Sequence, residues 1–278
     1  MDATERRAGV AALFDQLAPG YDQGGVPWFA PIAARLVDLL APASGAAALD
    51  IGAGRGAATF PLAARVGVGG RVTAVDLSSA MLAHLEADAR HRDITWLRTQ
   101  VGEARIDLLP DAPYDIVTAS LVLFFDPVPE ATLREWLRLV RPGSGRLGIT
   151  TFGPVDKAWH AADSAVLVHA PGGHLDPRTS GTRGPFATAE SLAAFVRDCG
   201  GTEVECHDEP LAVVLPDAHA WREWTMTLGM RQLWAAVPEA ALPDVLERVA
   251  TALEAARGED GLLHLTQTVR YTTAGAPA

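Results

Sequence analysis

The stretch Leu49-Asp50-Ile51-Gly52-Ala53-Gly54-Arg55-Gly56 constrains this chain more than any other. A short apolar run, Ala46 to Ile51, leads into three alternating glycines, and a helical pattern follows over 57–66. Glycine tolerates positive φ and lets the backbone pass close to a ligand, while the helix behind it turns free amides toward whatever binds. A strand, a glycine turn and a helix in that order belong to an α/β sheet, and the rest of the chain repeats the alternation.

Arg71 to Val75 reads as the next strand, followed by a helix over 78–90 whose first hydroxyl, Ser78, suits an N-cap. Further strands are expected at 94–97, 114–120 and 146–152, with a helix over 130–140 before the last of them. Residues 153–186 carry several Gly and Pro without a sustained period and read as a functional loop. A helix over 189–198 stopped by Gly200-Gly201, a strand at 202–207, two helices over 218–236 and 240–256, and an alternating strand at 262–271 complete the pattern. The expected fold is α/β: a doubly wound, Rossmann-like, mostly parallel seven-stranded sheet with a helical insertion before its last strand.

Asp50 narrows the ligand. Gly52-x-Gly54-x-x-Ala57 fits a dinucleotide fingerprint, and Asp76 lies 22 residues beyond Gly54, where a ribose-binding acid is expected. A carboxylate just before the loop repels a pyrophosphate but suits an ammonium group, directly or through water. Capping of the turn by Asp50 is the alternative. S-adenosyl-L-methionine carries an ammonium and a sulfonium in place of phosphates, and the same ribose diol.

In these residues the chain resembles the class I S-adenosylmethionine-dependent methyltransferases of small molecules, in particular those of ubiquinone and menaquinone biosynthesis. The resemblance rests on LDIGAGRG at 49–56, AVDLSSAML at 74–82, GEA at 102–104, YDIVTASLVLFF at 114–125 and VRPGSGRLGITTFG at 140–153. It implies that Gly52, Gly54 and Gly56 shape the methionine pocket, that Asp76 takes the ribose hydroxyls and that Leu77 and Met81 flank the adenine. Glu103, where the family usually has Asp, would accept from the adenine amino group beside the Ala104 amide, and Ser120 would offer its carbonyl to the ammonium next to Leu121. Core packing is an equal reading for Leu77 and Met81, and a solvated loop acid is the alternative for Glu103. Ser144 lengthens the usual RPGG turn, and Phe124-Phe125 stands where many relatives have histidine, so no role of that histidine is inherited.

The segment LFDQLAPGYD at 13–22 resembles the N-terminal lid that closes over the cofactor in the same group, which implies a contact from Tyr21 to the cofactor carboxylate. Trp28 and Phe29 would line the acceptor pocket. Of seven tryptophans, Trp28, Trp159, Trp221, Trp224 and Trp234 lie outside the expected sheet-and-helix core. Trp159, Trp221 and Trp224 are therefore candidate pocket residues for a lipophilic or aromatic acceptor, unless two-sided core packing or a second subunit covers them. In the loop His169-Ala170-Pro171-Gly172-Gly173-His174, both His169 and His174 are candidate bases, although alignment and desolvation can suffice for methyl transfer. Their spacing matches no familiar metal site, and no metal is expected.

The domain organisation expected is a lid over 1–44, a cofactor-binding core over 45–153, an active-site loop over 154–186, and the remainder of the sheet over 187–278 with a helical cap at about 218–257. Thirty-four acidic against 23 basic side chains leave a net charge of −11, which disfavours a nucleic-acid partner. No apolar run approaches a membrane span, Cys199 and Cys206 form no CxxC pair, and the first residues carry acids, so a cytoplasmic protein is expected, with a homodimer possible. Two rival readings stay open: an NAD(P)-dependent oxidoreductase, and a cofactor-binding relative that does not methylate.

Overall fold

The computed structural model describes residues 3–109, 111–170 and 184–277. Helices α1 (Ala3–Leu17) and α2 (Phe29–Leu40) precede the sheet. The chain then alternates through β1 (Ala47–Ile51), α3 (Thr59–Val66), β2 (Arg71–Asp76), α4 (Ser79–His91), β3 (Leu97–Val101), β4 (Ile116–Ser120), α5 (Pro129–Leu139) and β5 (Arg146–Val155). After α6 (Lys157–Leu167) and α7 (Ala189–Asp198) comes β6 (Thr202–Leu215), and α8 (Ala218–Met226), α9 (Arg231–Ala236) and α10 (Leu242–Glu254) separate it from β7 (Leu263–Gly275).

The seven strands lie in the order β3-β2-β1-β4-β5-β7-β6. The first five are parallel, and β7 runs antiparallel to both β5 and β6. Strand order reverses between β1 and β4, and ligands in open α/β sheets bind in the crevice at the carboxyl ends beside such a switch point. Every residue of β1 is buried, as a strand covered on both faces requires. Helix α2 covers one face with Ile32, Ala33, Leu36, Val37 and Leu40, and it sits so close that a Cβ at Gly148 of β5 would lie 2.6 Å from Leu40 Cδ1.

Some elements differ from expectation. Part of the stretch read as a loop is helix α6, whose N-cap Asp156 accepts from Trp159 N–H at 2.9 Å and whose other oxygen accepts from Thr266 N–H of β7 at 2.5 Å. That tie spans 110 residues of sequence, so local periodicity does not report it. The helix expected over 218–236 breaks at 227–230 around Gly229, where Thr227 N–H caps onto Trp224 C=O. β3 begins at Leu97 rather than 94, because its register is set by pairing with β2. Among the described residues no helix is long and apolar enough to cross a membrane.

Candidate active site

A cavity of about 970 Å³ opens at the carboxyl ends of β1, β2 and β4. Its floor is the glycine loop, with Gly52, Gly54 and Gly56 all at positive φ (64°, 53° and 95°). A Cβ at Gly52 would meet Val122 Cγ2 at 2.4 Å, and one at Gly56 would meet Phe60 at 2.6 Å. At Gly54 nothing lies within 4 Å of that position. The loop is thus pressed against the protein at two glycines and opens to the cavity at the third.

Two acids hold this floor. Asp76 accepts from Gly54 N–H at 2.7 Å and from Ser78 N–H at 2.8 Å; burial raises its pKa against those two amide bonds. Asp50, only 1% exposed, accepts from Thr59 Oγ1 at 2.6 Å and Thr118 Oγ1 at 2.8 Å. Burial pushes Asp50 up to about 6 despite both hydroxyls, with Asp76 adding repulsion. The threonines of α3 and β4 thus satisfy one acceptor site on each of its oxygens.

Helix α1 forms the roof. At one end Arg7 donates to Asp126 at 3.1 Å and to Glu103 at 3.3 Å. At the other, Asp15 accepts from Ser78 Oγ at 2.6 Å and Ala80 N–H at 3.1 Å, and the Ser78 bond holds its pKa below the usual carboxylate value. Between them Phe14 meets Phe125 edge-on at 5.6 Å and Tyr21 at 5.8 Å, while Tyr21 stacks on Phe29 at 4.9 Å. Burial pushes the Tyr21 phenol well above its ordinary value, with Asp22 and Asp76 contributing. Arg55 reaches from the glycine loop to Ala18 C=O and Tyr21 C=O, 3.4 Å from each.

A dinucleotide does not suit this floor. Asp76 already occupies the Gly54 amide that a pyrophosphate would need, and the antiparallel β7 between β5 and β6 departs from the dinucleotide-binding order 3-2-1-4-5-6. A methyltransferase-domain model matches residues 48–143. Along almost the whole chain, 94% of it and 96% of the relative, the sequence is 34% identical to nocamycin O-methyltransferase of Saccharothrix syringae. The chain belongs to the class I S-adenosylmethionine-dependent methyltransferases. Aklanonic acid methyltransferase DauC of Streptomyces sp. strain C5 is also 34% identical, over 54% of this chain and 66% of its own. Two solved structures share the fold of this methyltransferase. The YcgJ protein from Bacillus subtilis has a TM-score of 0.56 at 15% identity, over 88% of this chain and 99% of its own. The [4+2]-cyclase SpnF has 0.54 at 21%, over 97% and 96%. Because that second protein is named for a cyclisation, the fold alone does not specify methyl transfer; the sequence relationship does.

The cofactor of the methyltransferase is S-adenosyl-L-methionine, and the cavity fits it. Gly54 leaves an open cradle, Asp76 keeps acceptor capacity at the end of β2, and pyrophosphate is disfavoured. Tyr21, Phe29, Asp50, Gly52, Gly54, Gly56, Asp76, Leu77, Met81, Glu103, Ala104, Ser120 and Leu121 all line this one cavity. Trp28, Trp159, Trp221 and Trp224 do not. Trp28, Trp159 and Trp224 meet one another at 5.2–5.7 Å between ring centroids, and Trp221 packs on Trp234 at 6.0 Å. Each is at most 5% exposed, so these rings join α2, α6, α8 and α9 instead of walling the cavity, and the expectation of a tryptophan-lined pocket is corrected. His169 is not on the cavity wall either; its Nε2 is buried without a partner. His174 lies outside the described residues. Sequence reasoning missed Arg7, Asp22, Arg55, Thr59 and Thr118. Asp22 stands within the LFDQLAPGYD segment already singled out, whereas the pairings of Arg7 and the threonines arise only through the fold.

Proposed function

We propose that this methyltransferase transfers a methyl group to a hydroxyl oxygen of a small, largely apolar, ring-bearing metabolite of specialised metabolism. The observation that carries this reading is the aromatic wall of Phe14, Tyr21, Phe29 and Phe125, which faces the glycine loop across the cavity. An apolar wall of offset and edge-on rings favours a flat apolar ligand over a sugar phosphate. The relatives named for nocamycin O-methylation and aklanonic acid methylation support the same class.

Bound S-adenosylmethionine supplies an electrophilic methyl group on a sulfonium. In this reading Asp76 takes the ribose hydroxyls, Leu77 and Met81 flank the adenine, and Glu103 with the Ala104 amide meets its polar edge. Asp50 and the Ser120 carbonyl, beside Leu121, face the ammonium, and the Tyr21 hydroxyl and Arg55 face the carboxylate. In the same reading residues 1–44 act as the lid over a core at 45–153, and 218–257 forms a helical cap before the last strand. Water exclusion and alignment under the lid supply most of the rate. The net charge of −11 supports a small-molecule acceptor over a nucleic acid, a cytoplasmic location is in keeping with the free cysteines, and a homodimer stays compatible with the exposed edge strand β6.

The test is a turnover screen of phenols, hydroxyquinones and enols with S-adenosylmethionine, with the methyl group located in the product by NMR. O-methylated products are expected; methylation on carbon or nitrogen overturns the reading.

A further inference from the structure

Asp22 sits in the turn between α1 and α2, on the cavity wall. Its backbone is left-handed, φ 58°, a conformation that Asp tolerates better than most residues but that still costs energy and points the side chain in a set direction. Its Oδ1 is fully buried and has no hydrogen-bond partner. Four other acids on the cavity wall differ. Asp50 is held by two threonine hydroxyls, Asp76 by two backbone amides, and Glu103 and Asp126 by Arg7. Leaving a buried polar atom unpaired costs the desolvation of that group, and of the nine described side-chain atoms so placed Asp22 Oδ1 alone belongs to a residue of the cavity wall, where a ligand can complete it.

Which ligand group completes it follows from the neighbours. Arg55, from the glycine loop, is the cation that acts on Asp22. An ammonium brought to the same oxygen would meet that guanidinium, whereas a neutral hydroxyl would not. Gln23, Phe29 and Ala30 continue the wall on the side of α2, so Asp22 stands where the apolar surface begins.

We infer that Asp22 is a catalytic residue that touches the acceptor, its unpaired Oδ1 receiving the hydroxyl proton. This assignment rests on the reading that the acceptor atom is oxygen. In the step it serves, the acceptor O–H bond breaks and the proton binds Oδ1. The electron pair left on oxygen forms the new O–C bond as the C–S bond's electrons pass to sulfur, and the proton leaves to solvent after product release. Burial pushes Asp22 up to about 6 against the pull of Arg55, which places a carboxylate near the operating range of a general base. The groups that act on its charge are Arg55 and the Tyr21 phenol, with Asp76 acting on that phenol as well.

The test uses the whole chain saturated with S-adenosylhomocysteine, and two probes, 1-naphthol and 1-methoxynaphthalene, the second carrying a methyl group in place of the hydroxyl proton. By calorimetry at neutral pH the wild type is expected to prefer naphthol by about tenfold or more, the range for a hydrogen bond to a charged group. That preference is expected to fall to within about threefold in Asp22→Asn and in Asp22→Gly, whose glycine favours the local φ and protects the fold. It is also expected to shrink in the wild type as pH drops through about 6, while affinity for S-adenosylhomocysteine changes by less than about threefold in either variant. A wild type without preference, a preference retained by Asp22→Asn, or a loss of about tenfold or more in S-adenosylhomocysteine affinity overturns the assignment, the last by moving Asp22 to the cofactor. These failures are separable from that of the underlying reading. O-methylated product with an unchanged naphthol preference in Asp22→Asn removes Asp22 alone, whereas a methyl group on carbon or nitrogen removes the reading itself.

Discussion

At the end of β2 the Asp76 carboxylate braces the glycine loop through Gly54 N–H, and each of its oxygens keeps a lone pair for a ligand. Replacing it by alanine removes both tasks. Asp76→Ala is expected to weaken S-adenosylhomocysteine binding by about 1.5–3 kcal/mol in calorimetry, with circular dichroism unchanged. Full affinity in a folded variant would place the ribose elsewhere. Asp163 of α6 shows the opposite use of a carboxyl. Its Oδ1 is buried without a partner, and burial pushes the group up to about 7 against a bond from Trp159, with Asp156 adding repulsion. Because the folded-state value lies above the ordinary 3.8, the native state binds the extra proton between those limits. Stability therefore falls as pH rises through that window and is lowest above pH 7. Asp163→Asn should stabilise the protein by on the order of 1–3 kcal/mol at pH 8 and far less near pH 4, measured by urea unfolding at both. Equal effects at the two pH values would contradict a buried, titrating Asp163. Asp76 is legible from spacing alone; Asp163 is not, since α6 itself is hidden in a stretch that reads as a loop.

Among the elements, α1 is held at both ends and packed in the middle. Arg7 joins it to Asp126 and Glu103, Asp15 joins it to the start of α4, and Leu17, Ala18 and Met81 bury the interface between them. Partly exposed ion pairs such as those of Arg7 are worth about 1 kcal/mol or less, and Asp15 is held by hydrogen bonds from Ser78 and Ala80, not by an ion pair. Arg7→Ala and Asp15→Ala are each expected to speed S-adenosylhomocysteine release by up to about fivefold in stopped-flow displacement, with fold and equilibrium stability nearly unchanged. Release rates equal to wild type in both would show that α1 does not gate the cavity. The helix-strand alternation from β1 to β5 is readable because its helices bury one face each and its central strands are short apolar runs between turn residues, so both signals appear in the local sequence. Where an element is fixed from far away, as α6 is by Thr266 and β3 by its register on β2, local pattern misplaces it.

For the molecule as a whole, the cavity opens beside the reversal of strand order between β1 and β4, and ligand occupancy should couple to global stability. S-adenosylhomocysteine at about 100 times its Kd should stabilise the protein by about 2.7 kcal/mol, seen as a rise in Tm, while NAD at the same concentration should leave Tm unchanged. Stabilisation by NAD would contradict the occupied Gly54 amide. The sequence by itself determined the α/β class, the glycine floor and the acids at positions 50 and 76, because strand, turn and helix carry their chemistry within a few consecutive residues. Only the tertiary structure decided that β7 runs antiparallel between β5 and β6, that four tryptophans close the core instead of the pocket, and that Asp22 keeps an unmatched oxygen on the cavity wall. Each of those depends on which distant surfaces meet, and burial and pairing are properties of the assembled chain that no local spacing encodes.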